Sequence, residues 1–470
     1  AKKNFRSINM ISDKVKKRIM GISVIAAALL FLWLYLSYYG YSYAEDGNDD
    51  TAVTKSEMLA PMKNSSLKEN KYVYSEYEPG GISKIYINVF PTLAADGKEY
   101  GFSDIDMVSI WNKDFNPVLD ANVQFVGMDE EPKEKSIGSP NATIRVRGNP
   151  GAPLKSYRVK LVEGANGYEG QMVLNLDKNT NDPSRIANKL AHDLIKDLDN
   201  MSGFRTSFFE VYIRDDSAES KDGEFHSFGL YTHIEQPNRA YLKSHGLDEN
   251  GTIYRAENFT FTLVPQIKNT NDPYYDKEAL EEVLAIREGS DHSKLIRMLQ
   301  DVNNDSKGFE EVFHTYFNEE NYLTWLSVNI LLGNTDAMSS GFLLYSPSNS
   351  TGFYLLPWDF DGIFRWMDDD SGLPDMYECI NSVVLHRKYL ALEGSKEKLK
   401  AKLKELVEDE FSPGRVKSLV KQYEPVLLEA MSRYPDSVLL PVTLNEQLAR
   451  LRRIDESILM NYEYFLRHLD

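Results

Sequence analysis

Three aspartates stand where two predicted elements end, and their spacing suggests a cation site. Asp336 follows residues 320–332, an apolar run with the rhythm of a helix. Asp359 and Asp361 follow residues 341–356, which are predicted to form an aromatic-rich β-hairpin. Because an antiparallel hairpin brings its two ends together, we expect the three carboxylates to meet and to repel one another without a cation. Mg²⁺ is the cation that such oxygen ligands favour above all.

Each of these aspartates also has a purely structural interpretation. Aspartate is a preferred turn residue, so any one of the three could simply end a helix or a strand. Two of them, however, lie in the apolar sequence WDFD at residues 358–361, where a charge receives little water. That setting favours a functional role.

Four groups of motifs occur along residues 84–366, and together they resemble the CotH kinase family of spore-coat-type atypical kinases. They are RVRGN with KSYRVKL (145–149 and 155–161), RIANKLAHDL (185–194), GLYTHIEQ (229–236), and NTD, FLLY and PWDFD (334–336, 342–345 and 357–361). The resemblance rests on their order as well as their composition. It implies an α+β fold with an atypical protein-kinase-like two-lobe body, a β-rich part of the chain forming the small lobe.

The resemblance also implies roles for the aspartates. Asp336 would be the catalytic residue that accepts a hydrogen bond from the substrate hydroxyl, and Asp359 and Asp361 would hold Mg²⁺. The family pattern expects an asparagine, a further metal ligand, five residues after the catalytic aspartate. This chain has Gly341 there, and glycine has no ligand atom.

Arg147, Lys155 and Glu235 are the candidates for binding ATP. Lys155 is predicted to contact phosphate, with the guanidinium of Arg147 and free backbone N–H groups around Gly148 and Gly151 nearby. Glu235 would brace Lys155, as a glutamate does in kinase-like sites. A solvated loop lysine and a helix-starting glutamate are the structural alternatives.

Composition excludes several other classes of protein. The formal net charge of −18 has the wrong sign for neutralising phosphates, so no nucleic-acid partner is expected. The single cysteine, Cys379, excludes an intrachain disulfide, and no His/Cys cluster has zinc spacing. A P-loop NTPase is excluded because the chain has no G-x-x-x-x-G-K-[ST] motif.

The N-terminal part predicts a membrane anchor. Residues 1–18 form a basic tail, residues 19–39 contain no charge, and residues 40–70 read as a linker. The basic flank predicts a single-pass protein of the cell membrane with its N-terminus in the cytoplasm and its body outside. The alternative is a signal peptide cleaved near residue 44. The body divides into a CotH-like domain, residues 71–390, and a helical region, residues 391–470.

Two functional hypotheses follow, with a third ranked last. Gly341 and the extracytoplasmic location favour a degenerate kinase, an accessory or scaffold subunit of a cell-surface polymer or polysaccharide assembly or export system, within an envelope or export protein complex. The alternative is an active protein kinase that uses Mg²⁺ and ATP to phosphorylate envelope or coat proteins. A metal-dependent hydrolase comes last because no histidine ligand or general base is evident.

Overall fold

The computed structural model describes residues 66–469, apart from 109, 113, 129, 131–137, 180–181, 183, 218–222, 365–374 and 441. The basic tail, the uncharged run at residues 19–39 and all but the last five residues of the predicted linker lie outside the described residues.

Seven strands form a closed sheet. Their order around the sheet is β1 (Ile82–Val89), β4 (Leu119–Val126), β5 (Ala142–Arg147), β6 (Ser156–Leu161), β7 (Val173–Asp177), β9 (His226–Glu235) and β8 (Thr206–Asp215). Neighbours are antiparallel except β1 and β8, whose parallel pairing closes the sheet. Alternate side chains fill the interior, among them Ile85 and Ile87 of β1 and Ile144 and Val146 of β5. The same alternation leaves the intervening residues on the outer face.

A second sheet and most of the helices form the larger core. The sheet is antiparallel in the order β11 (Leu284–Glu288), β10 (Thr252–Ala256), β12 (Leu343–Ser346) and β13 (Tyr354–Leu356), and a short pair joins β2 (Thr92–Leu93) to β3 (Glu99–Tyr100). The helices are Phe102–Asp106, Ala187–Ile195, Arg239–Ser244, Lys277–Glu281, Ser293–Val302, Phe309–Tyr316, Glu319–Leu332, Met376–Ser382, Val384–Leu390, Ser395–Glu408, Pro413–Met431, Leu444–Leu451 and Ile454–Leu469.

The helix Ala187–Ile195 is buried along its whole length, although the i+4 spacing of its apolar residues predicts an amphipathic helix, over residues 183–198. Lys189 and Asp193 pair within the helix, with Lys189 Nζ 3.2 Å from Asp193 Oδ2, and each also has a partner on another element. Lys189 donates to the Tyr77 hydroxyl at 2.6 Å, and Tyr423 from the C-terminal helices donates a hydrogen bond to the Asp193 carboxylate. The helix therefore joins the closed sheet to the helical part of the body.

A second buried contact ties the C-terminal region to the closed sheet. Lys178, directly after β7, donates to Asp436 Oδ1 at 2.9 Å, and the Leu230 N–H of β9 donates to Asp436 Oδ2 at 2.7 Å. Neighbouring Gly229 has a φ of +77°, and a Cβ there would lie 2.0 Å from Asp436 Oδ2. Only glycine fits beside this carboxylate without a shift.

The predicted fold class and location need correction. The closed seven-stranded sheet, made by the parallel pairing of β1 with β8, is not the small lobe of a kinase-like two-lobe body, so that architecture is wrong. Across the described part of the chain, no helix combines the length and apolar character needed to cross a bilayer. The structure therefore does not support the transmembrane helix or the single-pass membrane location, and the run that suggested them lies outside the described residues.

The elements around the aspartates are confirmed. The helix Glu319–Leu332 ends at Gly333, which is left-handed with a φ of 68°, and β12 and β13 pair as the predicted hairpin. Two other segments differ from what their sequence predicts. The alternation at residues 107–111 predicts a strand, but these residues include a loop and part of a 3-10 turn. The sequence of residues 276–332 predicts mostly helix, yet Leu284–Glu288 within it is a strand.

Candidate active site

A cleft of about 670 Å³ lies between the outer face of the closed sheet and the four-stranded sheet. Its charged lining residues are five arginines and three aspartates: Arg145, Arg147, Arg158, Arg255, Arg287, Asp177, Asp359 and Asp361. Backbone and side chains of residues 148–154 form one rim, and Trp358 contributes an aromatic surface. The cleft therefore combines a surplus of guanidinium groups with a pair of neighbouring carboxylates.

Arg147, at the end of β5, connects the closed sheet to the loop that carries Asp359. Its Nη1 lies 3.7 Å from Asp177 Oδ2, and its guanidinium lies 6.0 Å from the centre of the Trp358 ring. Asp177 also accepts a hydrogen bond of 3.0 Å from the Ser156 hydroxyl. The predicted anion-binding residue Arg147 thus lines the cleft, held in place from both sides.

The backbone at Asp359 has the left-handed conformation, with a φ of 57°, which is uncommon for a residue other than glycine. Two buried asparagines hold it there. Asn334 Nδ2 donates to the Asp359 carbonyl at 3.4 Å, and Asn188 Oδ1 accepts from the Phe360 N–H at 2.9 Å. Strain of this kind persists only where the surroundings enforce it, and it is concentrated at functional sites.

Asp359 carries a perturbed pKa. Its side chain reaches the water of the cleft, but the surrounding walls desolvate it in part. This desolvation and the like charge of Asp361 raise the pKa of Asp359 to about 6, against the opposing effect of Arg147 and Arg255. A carboxyl group in that range sheds its proton readily when a cation arrives.

Gly341 lies beside the Asp359 side chain. Its φ is +63°, and a Cβ at this position would lie 3.1 Å from Asp359 Cβ and 3.7 Å from Asp359 Oδ2. A side chain at this position would contact Asp359, the candidate metal ligand. The chain therefore lacks a ligand atom at a position that faces Asp359.

Asp336 is less closely associated with the cleft. It is exposed, begins the 3-10 turn Asp336–Met338 and lies outside the described lining of the cleft. Within the described residues, no three His, Cys, Asp or Glu side chains are grouped closely enough to hold a metal ion. The hairpin does bring Asp359 and Asp361 to one place, but the expected meeting of all three carboxylates is not seen.

Lys155 faces away from the cleft. It is buried, and its ammonium group donates to the carbonyls of Val108 at 2.7 Å, Ala152 at 2.8 Å and Pro150. Burial lowers the pKa of Lys155, and the charge of Asp106 opposes this. The structure thus places the predicted phosphate ligand underneath the loop, where it ties the loop down.

The loop above Lys155 also uses its own amides. The Gly151 N–H donates to Asn149 Oδ1 at 2.9 Å, and the Ala152 N–H donates to the Asn149 carbonyl at 3.0 Å. The expectation that free amides surround Gly151 is therefore wrong. The guanidinium groups remain as the cleft's donors for an anion.

Glu235 belongs to a buried network beside the cleft. It accepts from Arg205 Nη2 at 2.5 Å and lies 2.9 Å from His245 Nε2, while His245 Nδ1 lies 2.6 Å from Glu69 Oε1. Burial raises the pKa of Glu235, but His245 and Arg205 outweigh it and hold that pKa at about 2. Its described partners are Arg205 and His245, so the expected brace between Glu235 and Lys155 is not formed here.

Several residues of the cleft were not singled out from the sequence. Arg255 and Arg287 lie on strands that carry no motif, and Asp177 is the last residue of an ordinary buried strand. Asn188 was visible within the motif RIANKLAHDL but received no role, because its contact with the loop after β13 spans 172 residues. Alternation along β5 and β6 was the one signal that could have placed their arginines on a common face.

Comparison with known proteins agrees with the motifs. A family model described as "CotH kinase protein" matches residues 144–452. The chain is also similar to inner spore coat protein H of Bacillus subtilis (strain 168), with 23% identity over 224 residues, which cover 46% of this chain and 56% of that protein. The chain thus spans little more than half the length of this curated relative. Because the family model covers more than half of the sequence and includes the cleft, the chain belongs to the CotH kinase protein family.

Proposed function

We propose that the cleft binds a nucleoside triphosphate together with Mg²⁺ and transfers the terminal phosphoryl group to a protein hydroxyl. The observation that carries this proposal is the pairing of Asp359 and Asp361 with guanidinium groups in one cleft of about 670 Å³. The volume is in the usual range for small-molecule sites. Arg147 and Arg255, whose charges both act on Asp359, are suited to the phosphates.

The residues present fit a magnesium ion that shares its ligands with the nucleotide. Mg²⁺ in phosphate-transfer sites is commonly held by one or two carboxylates and by phosphate oxygens, and it needs no complete protein cage. Asp359 and Asp361 would supply the carboxylates, and the charge of Asp361 adds to desolvation in raising the pKa of Asp359. When bound, the ion would offset the charge on the phosphates.

Phosphoryl transfer requires little covalent chemistry from the protein itself. The acceptor oxygen forms a bond to the terminal phosphorus while the bond from that phosphorus to the bridging oxygen of the nucleoside diphosphate breaks. The electron pair leaves with the diphosphate, and the hydroxyl proton passes to a carboxylate, a role for which Asp336 is the candidate. Arg147 and Arg255 would orient the phosphates during transfer.

A second candidate function is nucleotide binding without transfer, as in a degenerate kinase with an accessory or scaffold role in polymer assembly. Gly341 favours it, because the chain has no ligand atom at the position that faces Asp359. In this case the cleft would still bind nucleotide and Mg²⁺, but Asp336 would have no catalytic part.

Calorimetry with ATP and Mg²⁺, followed by an assay of radiolabelled phosphate transfer, tests both candidates. Binding that requires Mg²⁺ and is lost in Asp359→Asn supports the nucleotide site. Transfer that is also lost in Asp336→Asn supports the kinase, whereas binding without transfer supports the second candidate. An absence of nucleotide binding in the unaltered protein would overturn both.

A further inference from the structure

The outer faces of β5, β6 and β7 present polar side chains at two levels. At the first level, next to the loop, lie Arg147, Ser156 and Asp177, which contact one another directly. The second level lies two residues further along each strand, about 7 Å away. There Arg145 is paired across the strands with Arg158.

The second level carries a concentrated positive charge. Like charges directly opposite each other on neighbouring strands destabilise a sheet, and Arg145 and Arg158 are such a pair. Arg287 approaches from the four-stranded sheet across the cleft. Desolvation and the charges of neighbouring arginines lower the pKa of both Arg158 and Arg287, that of Arg287 to about 10 against the opposing charge of Glu257.

None of the described hydrogen bonds or ion pairs uses the guanidinium of Arg145, Arg158 or Arg287. By contrast, Arg147 is paired with Asp177, and Arg255 donates to Glu257 at 2.7 Å. Glu257 offsets part of the charge at Arg287, but three neighbouring cations that form no ion pair with a carboxylate still cost free energy unless an anion binds there. We call Arg145, Arg158 and Arg287 the arginine row.

The nucleotide is the less suitable occupant of this row. Its phosphates are drawn toward Asp359 and Asp361, which would hold Mg²⁺, and toward Arg147 and Arg255, whose charges act on Asp359. Arg145 and Arg158 lie about 7 Å from the first level along their strands, so a second anion can reach them while the phosphates stay near Asp359. An acceptor that enters the cleft beside the nucleotide meets this positive surface.

We infer that the arginine row binds an acidic segment of the acceptor, so that the preferred substrate is a hydroxyl residue flanked by aspartate or glutamate. This inference rests on the proposed phosphoryl transfer for its account of the substrate, but binding to the row can be measured without transfer. The acceptor's carboxylates would take the bidentate hydrogen bonds that the guanidinium groups offer.

Fluorescence anisotropy with two labelled peptides tests the inference. One peptide has a central serine flanked by three aspartates on each side, and the other has asparagine in place of every aspartate. We expect the acidic peptide to bind more tightly than the asparagine peptide. Its binding should weaken as the salt concentration rises. The double variant Arg145→Gln/Arg158→Gln should weaken its binding about tenfold, as expected when charged hydrogen bonds are lost. Arg453→Gln, in an exposed ion pair with Glu456, is the control for loss of positive charge.

Calorimetry of the same proteins with ATP and Mg²⁺ separates this inference from the proposed function. Retention of ATP affinity in the double variant, together with loss of the acidic peptide, supports the acceptor site. Equal binding of the two peptides overturns the inference. A double variant that loses ATP binding but keeps peptide binding also overturns it, and assigns the row to the nucleotide. If the unaltered protein fails to bind ATP while the double variant loses the acidic peptide, the proposed function fails and the acidic-segment site stands.

Discussion

Two loops carry the strongest motifs of the chain, and the structure uses them in opposite ways. The loop after β13 presents Asp359 to the cleft, with its unusual backbone held by two buried asparagines. The loop between β5 and β6 turns Lys155 inward, where three backbone carbonyls take up its ammonium group. A motif residue can therefore serve either the ligand or the loop itself. Which of these applies depends on whether the backbone directs the side chain into the cleft or beneath the loop.

Removing a charge from the loop after β13, which carries Asp359, should have the largest effect on activity. We expect Asp359→Asn to reduce phosphate transfer by at least about a hundredfold, since it removes a carboxylate where transition-state charge is stabilised. Asparagine tolerates the left-handed backbone, so the fold should persist. The rise in melting temperature with Mg²⁺ and ATP should also disappear, and its size is set by ligand concentration relative to Kd.

Asp305→Asn is the matched control, because Asp305 is exposed and lies in an ion pair with Lys388. An Asp359→Asn variant that keeps the full ligand-dependent rise in melting temperature would reduce Asp359 to a structural role.

Substitution of Lys155, in the loop between β5 and β6, should change the stability of the protein rather than its affinity for ligand. Lys155→Met leaves three carbonyls without their donor, and we expect it to lower the free energy of unfolding by about 3 kcal/mol. Arg147→Met should instead weaken ATP binding about tenfold and change stability little, because its contacts face the cleft. Denaturant titration and calorimetry on the two variants measure this contrast. The reverse pattern would restore Lys155 as the phosphate ligand.

The pH dependence of metal binding should follow Asp359. With a pKa of about 6, most of this carboxyl is protonated at pH 5, so the affinity for Mg²⁺ with ATP should fall about tenfold between pH 7 and pH 5. In the metal-free protein, the stability that Asp359 contributes should instead be larger at the lower pH. A pKa above that of the unfolded chain means that Asp359 binds more protons when folded, so its contribution to stability decreases as the pH rises from about 4 to 6.

Calorimetry in matched buffers measures the affinity. An affinity that is flat over this range would show that the Asp359 carboxyl does not titrate there.

Restoring the absent side chain at Gly341 should have the smallest effect. Gly341→Asn would add an amide oxygen near Asp359, and we expect a severalfold increase in transfer, limited by the cost of a left-handed backbone. Gly341→Ala is the control, because it adds a Cβ in the left-handed conformation, at a cost at least as large as that for asparagine, without a ligand atom. If the asparagine variant behaves like the alanine variant, the position has no part in metal binding.

Sequence reasoning succeeded where local signals decide the structure. Gly333 ends the helix Glu319–Leu332, and aromatic residues on either side of a turn form the β12–β13 hairpin. It failed where distant pairing decides. The parallel contact of β1 with β8 closes the sheet, and it joins segments more than a hundred residues apart that carry no local signal for pairing.

The candidate site shows the same division. Asp359, Asp361 and Arg147 were found because their motifs place them at the ends of strands. Arg287 escaped notice because only the packing of the second sheet against the cleft brings it there. His192 lies off the apolar stripe of its helix, a position typical of the surface, yet it is fully buried beside Phe360 and its pKa is lowered by desolvation to about 4. The negative net charge of the chain likewise concealed a cleft with a positive lining.

The ion pair between Lys178 and Asp436 has a consequence for how the protein is made. The two residues are 258 positions apart, and Lys178 is buried beside the closed sheet. A ribosome adding about 5–20 residues per second needs about 13–50 s to travel that distance. During that time the nascent chain has a lysine without its carboxylate and a sheet without its final support. The last strand of the closed sheet ends at Glu235, so all seven strands are synthesised well before the carboxylate that pairs with Lys178. A ribosome that stalls between these two points leaves Lys178 without that partner.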